Sequence, residues 1–176
     1  RIAKRFIPEA KVVNGIEISA VYDPNEIEAN AFASQFGVRS FSTSINSFFQ
    51  EVDAIYIASP HLTHYLYAKA ALEAGKHVLC EVPLTLSGAE AKELYNFADA
   101  HNLVLLEANK TAFCPSFNHL TTLVKSGIIG DVVDIKSSLS KMVTGSTREL
   151  DAKQAGGAMN EHASITLLPI IKLLGT

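Results

Sequence analysis

The chain has 176 residues, 48% hydrophobic and 19% charged, with a formal net charge of −3. That balance suits a soluble globular protein of one large domain, or one domain with part of a second, and excludes nucleic acid as a principal partner, because phosphate binding needs a basic face. No apolar run approaches the ~18 residues of a membrane span. The two cysteines, Cys80 and Cys114, fit neither a metal spacing nor a disulfide framework.

In chain order, Arg1-Ile2-Ala3-Lys4-Arg5-Phe6 reads as helix already under way, with no initiator Met before it. Residues 16–22 (IEISAVY) form a β-branched apolar run, read as a strand. Asp23-Pro24-Asn25-Glu26 follows. The helix behind it places Ala29, Phe32, Ala33 and Phe36 on one face and stops at Gly37. Residues 54–58 (AIYIA) are a second buried strand, ended by Ser59-Pro60. Thr63 is expected to cap the next helix, which carries Leu66, Ala70 and Leu72 and stops at Gly75. Residues 77–80 are a third strand, with Cys80 a small core residue. Ser87-Gly88-Ala89-Glu90 has the form of a capping box, and the helix it opens carries Ala91, Leu94, Tyr95 and Ala98. Residues 103–106 are a fourth strand. Residues 115–127 form a further helix with Phe117, Leu120 and Val124 inward.

After Gly130 the pattern changes. Val133, Ile135, Leu139 and Val143 alternate with polar residues, as in a half-buried, antiparallel strand. A domain change is therefore expected near residues 115–130, dividing the chain into 1–115 and 116–176. The end, Leu173-Leu174-Gly175-Thr176, reads as a helix and its glycine stop. Both ends resemble interior cuts, so the expectation is a piece of a longer protein. The expected compartment is a reducing cytoplasm.

Wholly apolar strands alternating with helices imply an α/β fold, a parallel sheet covered on both faces with right-handed crossovers. Ligands of such sheets bind beyond the carboxyl ends of the strands. Attention falls on Asp23, Ser59-Pro60, Glu81-Val82-Pro83 and Ala108-Asn109-Lys110. Asp23 either accepts hydrogen bonds from an adenosine ribose or caps its helix. His61 and His64 are three apart with no third ligand, so no metal is expected, and the plainer reading is two helix-start histidines. A carboxylate ending an apolar strand, Glu81, needs a partner. Either backbone amides or Lys110, the cation at a strand end, is expected to supply it. Lys110 alternatively meets a ligand phosphate or carbonyl, or is simply solvated. Glu161 and His162 follow Gly156-Gly157-Ala158, near the start of the last helix, where substrate groups or simple capping account for them.

The run ASPHLTHYLYAKAALEAGKHVLCEVPLTLS resembles the glucose–fructose oxidoreductase and inositol dehydrogenase family, Gfo/Idh/MocA. That family shows Thr/Ser-Pro-Asn-x-x-His, a helix ending Ala-Gly-Lys-His-Val, then Glu-Lys-Pro. RIAKRF is similar to the residues after its Gly-x-Gly, VYDPN to its second strand end, and AGGAMNEHASITLLPIIKLLG to its Gly-Gly-Ala-x-x-Asp-x-Gly helix. These motifs keep the family's order along the chain.

The resemblance implies a Rossmann-like doubly wound parallel sheet followed by the start of an α/β domain with a mostly antiparallel sheet. It implies that the first strand with its Gly-x-Gly and much of the second domain lie outside the chain. It implies NAD or NADP as cofactor, and hydride transfer with a sugar or polyol substrate. It also implies a homodimer or homotetramer formed through the open sheet face of the second domain. By position, Ile2 approaches the pyrophosphate, and Asp23 meets the adenosine ribose and favours NAD over NADP. Ser59, Pro60, His61 and His64 line the nicotinamide side. Glu81 contacts the nicotinamide ribose, with Val82 beside it, and Lys110 stands where relatives carry Asn or Arg near the cofactor.

Two positions depart from the family. Val82 replaces the lysine of Glu-Lys-Pro, and Ile165 stands where His or Tyr is usual. Neither transfers a proton. The available replacements are Lys110 and His162, the latter one helical turn before Ile165. The expectation is an NAD(P)-dependent oxidoreductase. The alternative is a catalytically impaired dinucleotide-binding sensor or regulator of the same fold.

Overall fold

Helices and short strands alternate as expected, and every strand pair is parallel. The computed structural model describes residues 2–145 and 147–175; the helical reading of Arg1 and the role of Thr176 at the C-terminal stop lie outside the described residues. Helix α1 (Ile2–Ala10) leads to β1 (Ala20–Tyr22), α2 (Glu26–Phe36), β2 (Ser40–Ser42) and α3 (Ile45–Phe49). Then come β3 (Ala54–Ile57), α4 (His61–Glu73), β4 (His77–Cys80), α5 (Gly88–Ala100) and β5 (Leu105–Glu107). A 3₁₀ turn (Lys110–Phe113), α6 (Pro115–Lys125), two further 3₁₀ turns (Arg148–Leu150 and Ala152–Gln154) and α7 (Ala158–Leu174) complete the order.

Strand β1 pairs with β2, with Val21 opposite Phe41. Strand β4 lies between β3 and β5, with Ile55 opposite Val78 and Cys80 opposite Glu107. The inward side chains Ile55, Ile57, Val78, Cys80 and Leu105 pack on Ala68, Ala71 and Leu72 of α4 and on Leu94 and Ala98 of α5. Each fully buried Leu or Ile contributes about 1.5–3 kcal/mol. This layer fixes the carboxyl ends of β3, β4 and β5 side by side.

Local chemistry corrects several sequence expectations. Asn25, not Asp23, caps α2: its side chain accepts from the amides of Ile27 and Glu28. Asp23 instead accepts from the Asn25 amide at 2.8 Å, closing a side-chain turn that leaves Pro24 outside the helix. The stop at Gly37 holds, with φ at 60°, the left-handed conformation glycine adopts without cost. Helix α4 begins at His61 after Pro60, so Thr63 lies inside its first turn, donating to Ser59 Oγ and to the Pro60 carbonyl. Ser87 stands at the cap of α5 without a side-chain capping bond, so the expected box is not closed.

The inward stripe of α4 is His61, His64, Ala68, Ala71 and Leu72. Leu66 is 60% exposed. The alanines let the helix sit close on the sheet, and the histidines go inward because backbone oxygens are there to meet them. In α6 no residue is buried, so Phe117, Leu120 and Val124 do not form the expected core face.

The expected strand over residues 133–143 does not form: residues 131–144 carry no regular structure. A strand needs a ladder partner, and none is present among the described residues; Val133 is 95% exposed. The short β2 and α3 were not anticipated. No helix among the described residues is long and apolar enough to cross a membrane.

Candidate functional site

The carboxyl ends of the strands carry the polar residues singled out by sequence. Asp23 follows β1 with one carboxylate oxygen in its turn and no hydrogen bond to the other among the described residues. Ser59 and Pro60 follow β3 in extended backbone, and Ser59 Oγ accepts from Thr63.

Glu81 follows β4 and continues its ladder, its amide donating to the Ile57 carbonyl at 2.9 Å. Its side chain accepts from the Tyr56 hydroxyl. Lys110 forms no pair with it, so the expected Glu81–Lys110 contact is replaced by Tyr56–Glu81. Burial, and then this hydrogen bond, push the Tyr56 phenol well above its ordinary range. Tyr56 was missed in the sequence, although strand alternation announces it. It stands opposite Leu79 in parallel register, so Tyr56, Leu79 and Glu81 share a face. The Tyr56 ring stacks on Phe6 of α1, with ring centroids 3.7 Å apart.

Ile2, Phe6, Tyr56, Glu81 and Lys110 line one cavity of about 320 Å³. Asp23, Ser59, His61, His64 and His162 lie outside it. The structure thus brings Ile2, Glu81 and Lys110 together, and His162 does not join them.

Neither of the paired histidines is a surface residue. His64 is 1% exposed. Its Nδ1 lies 2.7 Å from the Pro83 carbonyl and its Nε2 2.9 Å from that of Ser59, so the ring bridges the loops after β3 and β4. His61 is 7% exposed. Its Nδ1 stands 3.2 Å from the Ala155 carbonyl, 3.2 Å from Arg148 Nη1 and 3.7 Å from Glu161 Oε1. Burial lowers the His61 pKa; the Ala155 hydrogen bond and Glu161 oppose this, while Arg148 and His64 reinforce it.

Arg148 grips Glu161 with both arms. Nη1 lies 2.8 Å from Oε1, and Nη2 donates to Oε2 at 3.2 Å. The turn that delivers Arg148 depends on Gly156, whose amide donates to the Asp151 carbonyl while that of Gly157 donates to Glu149. A β-carbon on Gly156 would lie 2.8 and 2.9 Å from the carbonyl oxygens of Glu149 and Asp151. Arg148 was missed because its partner His61 lies 87 positions away; no local pattern reveals it.

Helix α7 is tied to the sheet at two further points. Glu107 Oε1, at the end of β5, accepts from the Leu84 amide at 3.0 Å and from Ser164 Oγ at 3.2 Å. Asn109 Nδ2 donates to the Ser164 carbonyl at 2.9 Å. The buried polar side-chain atoms without a hydrogen bond, among the described residues, are Asn109 Oδ1, Thr147 Oγ1 and Glu161 Oε1, the last held by its ion pair. His61 Nε2 has no hydrogen bond among the described residues either.

No cluster of three or more metal-ligating side chains occurs among the described residues. The residues present do fit a dinucleotide: a carboxylate with an unbonded oxygen at one strand end, a lysine at another, and an unsatisfied amide oxygen beside it.

Comparison with known proteins follows the same lines. The family model described as "Oxidoreductase family, NAD-binding Rossmann fold" matches residues 1–109. A scyllo-inositol 2-dehydrogenase (NADP(+)) of Bacillus subtilis (strain 168) is 34% identical over 121 residues, covering 68% of this chain and 37% of that protein. A D-xylose 1-dehydrogenase (NADP(+)) of Hypocrea jecorina is 40% identical over 89 residues, covering 51% of this chain and 23% of that protein. Among solved structures, an NAD-binding protein from Listeria innocua superposes with a TM-score of 0.82 at 24% identity, over 97% of this chain and 51% of that one; that likeness is one of fold. The chain spans about half the length of these proteins or less.

Proposed function

Because the chain belongs to the Gfo/Idh/MocA family of NAD-binding oxidoreductases, we propose that it carries the nucleotide-binding side of an NAD(P)-dependent oxidoreductase acting on a CH–OH carbon of a sugar or polyol. The observation that carries the reading is the row of polar groups at the ends of parallel strands, where such sheets bind ligands. The names of two relatives, an inositol and a xylose dehydrogenase, support the substrate class.

In this reading the unbonded oxygen of Asp23 accepts from an adenosine ribose hydroxyl. Ile2 approaches the pyrophosphate, and Ser59 and Pro60 face the nicotinamide side. Glu81, oriented by Tyr56, contacts the second ribose. Lys110, exposed and without an ion pair among the described residues, meets a phosphate or carbonyl. Nicotinamide, when bound, exchanges a hydride with the substrate carbon. His64 holds the loops after β3 and β4 and Val82 lines the site. His162 on α7 is available for proton exchange. Asp23 favours NAD, because its carboxylate repels a 2′-phosphate, whereas both relatives named above are NADP(+) enzymes. Residues 1–115 form the dinucleotide-binding domain and 116–176 begin a substrate and oligomerisation domain. The whole protein works as a homodimer or homotetramer in the cytoplasm.

A binding-only protein is the second reading, favoured by apolar Val82 and Ile165 at the family's proton-handling positions. The test is nicotinamide absorbance of the purified full-length protein across a panel of sugars, polyols and dihydrodiols. Reduction with at least one of them is expected. Dinucleotide binding without turnover on any would replace the first reading with the second.

A further inference from the structure

We infer that His61 is the acid–base residue of this site, with Glu161 and Arg148 as the residues that position it. The inference rests on the hydride-transfer reading above and puts His61 in place of His162 as its proton-exchanging group, since neither Val82 nor Ile165 exchanges a proton.

Three observations carry it. His61 opens α4 directly after Ser59-Pro60, at the end of the central ladder's first strand. Its Nδ1 is committed to protein, facing the Ala155 carbonyl, while Nε2 has no hydrogen bond among the described residues. A carboxylate stands 3.7 Å behind Nδ1, and that carboxylate is held by both arms of Arg148. An imidazole anchored at one nitrogen, backed by an oriented carboxylate and free at the other nitrogen, is the arrangement general acid–base chemistry needs. His162 has no carboxylate partner among the described residues, and Lys110 lies in the cavity beside Glu81 with none.

The two contacts of Nδ1 are alternatives, because it either donates to Ala155 O or accepts from Arg148. The acid–base role takes the first: Nδ1 keeps its proton for Ala155 and Nε2 presents a lone pair. Burial lowers the His61 pKa and favours this neutral form near pH 7. The charged or titratable groups facing the ring are Arg148, Glu161 and His64, whose ring centroid is 5.5 Å away. Oxidation of the substrate then breaks its C–H and O–H bonds. The hydride passes to the oxidised nicotinamide and the hydroxyl proton to His61 Nε2. A C=O forms, and the imidazolium returns its proton to water.

The test uses the full-length protein and two variants. His61→Asn keeps a small polar side chain at the start of α4. It should lower kcat about 100-fold or more, leave the dinucleotide Kd within about twofold, and remove the low-pH limb of kcat/KM. In Glu161→Gln the His61 imidazole resonance should titrate at lower pH than in the parent, because the group that raises its pKa is gone. That NMR readout needs no turnover. A parent that neither binds dinucleotide nor turns over would overturn the hydride-transfer reading and this inference with it. A parent that turns over while His61→Asn keeps its rate within about threefold and its pH limb would overturn this inference alone. An unchanged His61 titration in Glu161→Gln would also overturn it.

Discussion

Asp23 ends β1 with one oxygen engaged by the Asn25 amide and the other without a hydrogen bond among the described residues. If that oxygen meets the ribose, Asp23→Ser should weaken NAD binding by about 10-fold and bring NADP affinity level with it or above. Titration of both dinucleotides checks this. The two thiols offer a second residue-scale prediction. Burial raises the Cys80 pKa, whereas the Ser116 hydroxyl and the amides of Phe117 and Ser116 lower that of half-buried Cys114. A thiol reagent at neutral pH should label Cys114 and spare Cys80 until the protein unfolds, as mass spectrometry of peptides will show. His61 gives a third. Its folded pKa is lowered below the ordinary 6.5, so the folded state binds fewer protons than the unfolded. The associated stability is full above 6.5 and is lost as pH falls through the lowered folded value. Urea midpoints should therefore drop more between about pH 7 and about pH 5 for the parent than for His61→Asn.

The turn before α7 depends on Gly156, because a methyl group there would press on backbone carbonyls rather than on side chains that move aside. Gly156→Ala should cost on the order of 1–3 kcal/mol in denaturant unfolding, and displace Arg148 from Glu161. Nothing local in the sequence announces this packing beyond the paired glycines. The strands Ala54–Ile57 and His77–Cys80 were legible because each is a mostly apolar run bounded by breakers. Ser40–Ser42 was not, since Ser-Phe-Ser carries no apolar run and is a strand only by pairing with β1. Helix α4 misled in the opposite sense. Its two histidines read as plain helix-start residues, but they face inward, because carbonyls of Ser59, Pro83 and Ala155 meet them there. Those oxygens belong to other elements, so the reason appears only in three dimensions. The alternation over residues 133–143 was legible as a pattern and still produced no strand, for want of a neighbour to complete its ladder.

At the scale of the molecule, the central ladder and the last helix are joined by three polar links: Arg148–Glu161 against His61, Asn109 to Ser164, and Glu107 to both Ser164 and Leu84. All lie at the carboxyl ends of the strands, the edge at which dinucleotide binding is proposed. That Asp23, Glu81 and Lys110 follow strand ends was legible in the sequence. The partners Tyr56, Arg148 and Glu107 were not, because each acts across elements. The account as a whole stands on dinucleotide binding at this edge. The measurement that tests it most directly is a fluorescence titration of NADH into the full-length protein, repeated with Asp23→Ser. The account predicts saturable binding by the parent and weaker binding by the variant. No saturable binding by the parent, or equal affinity in both proteins, would contradict it.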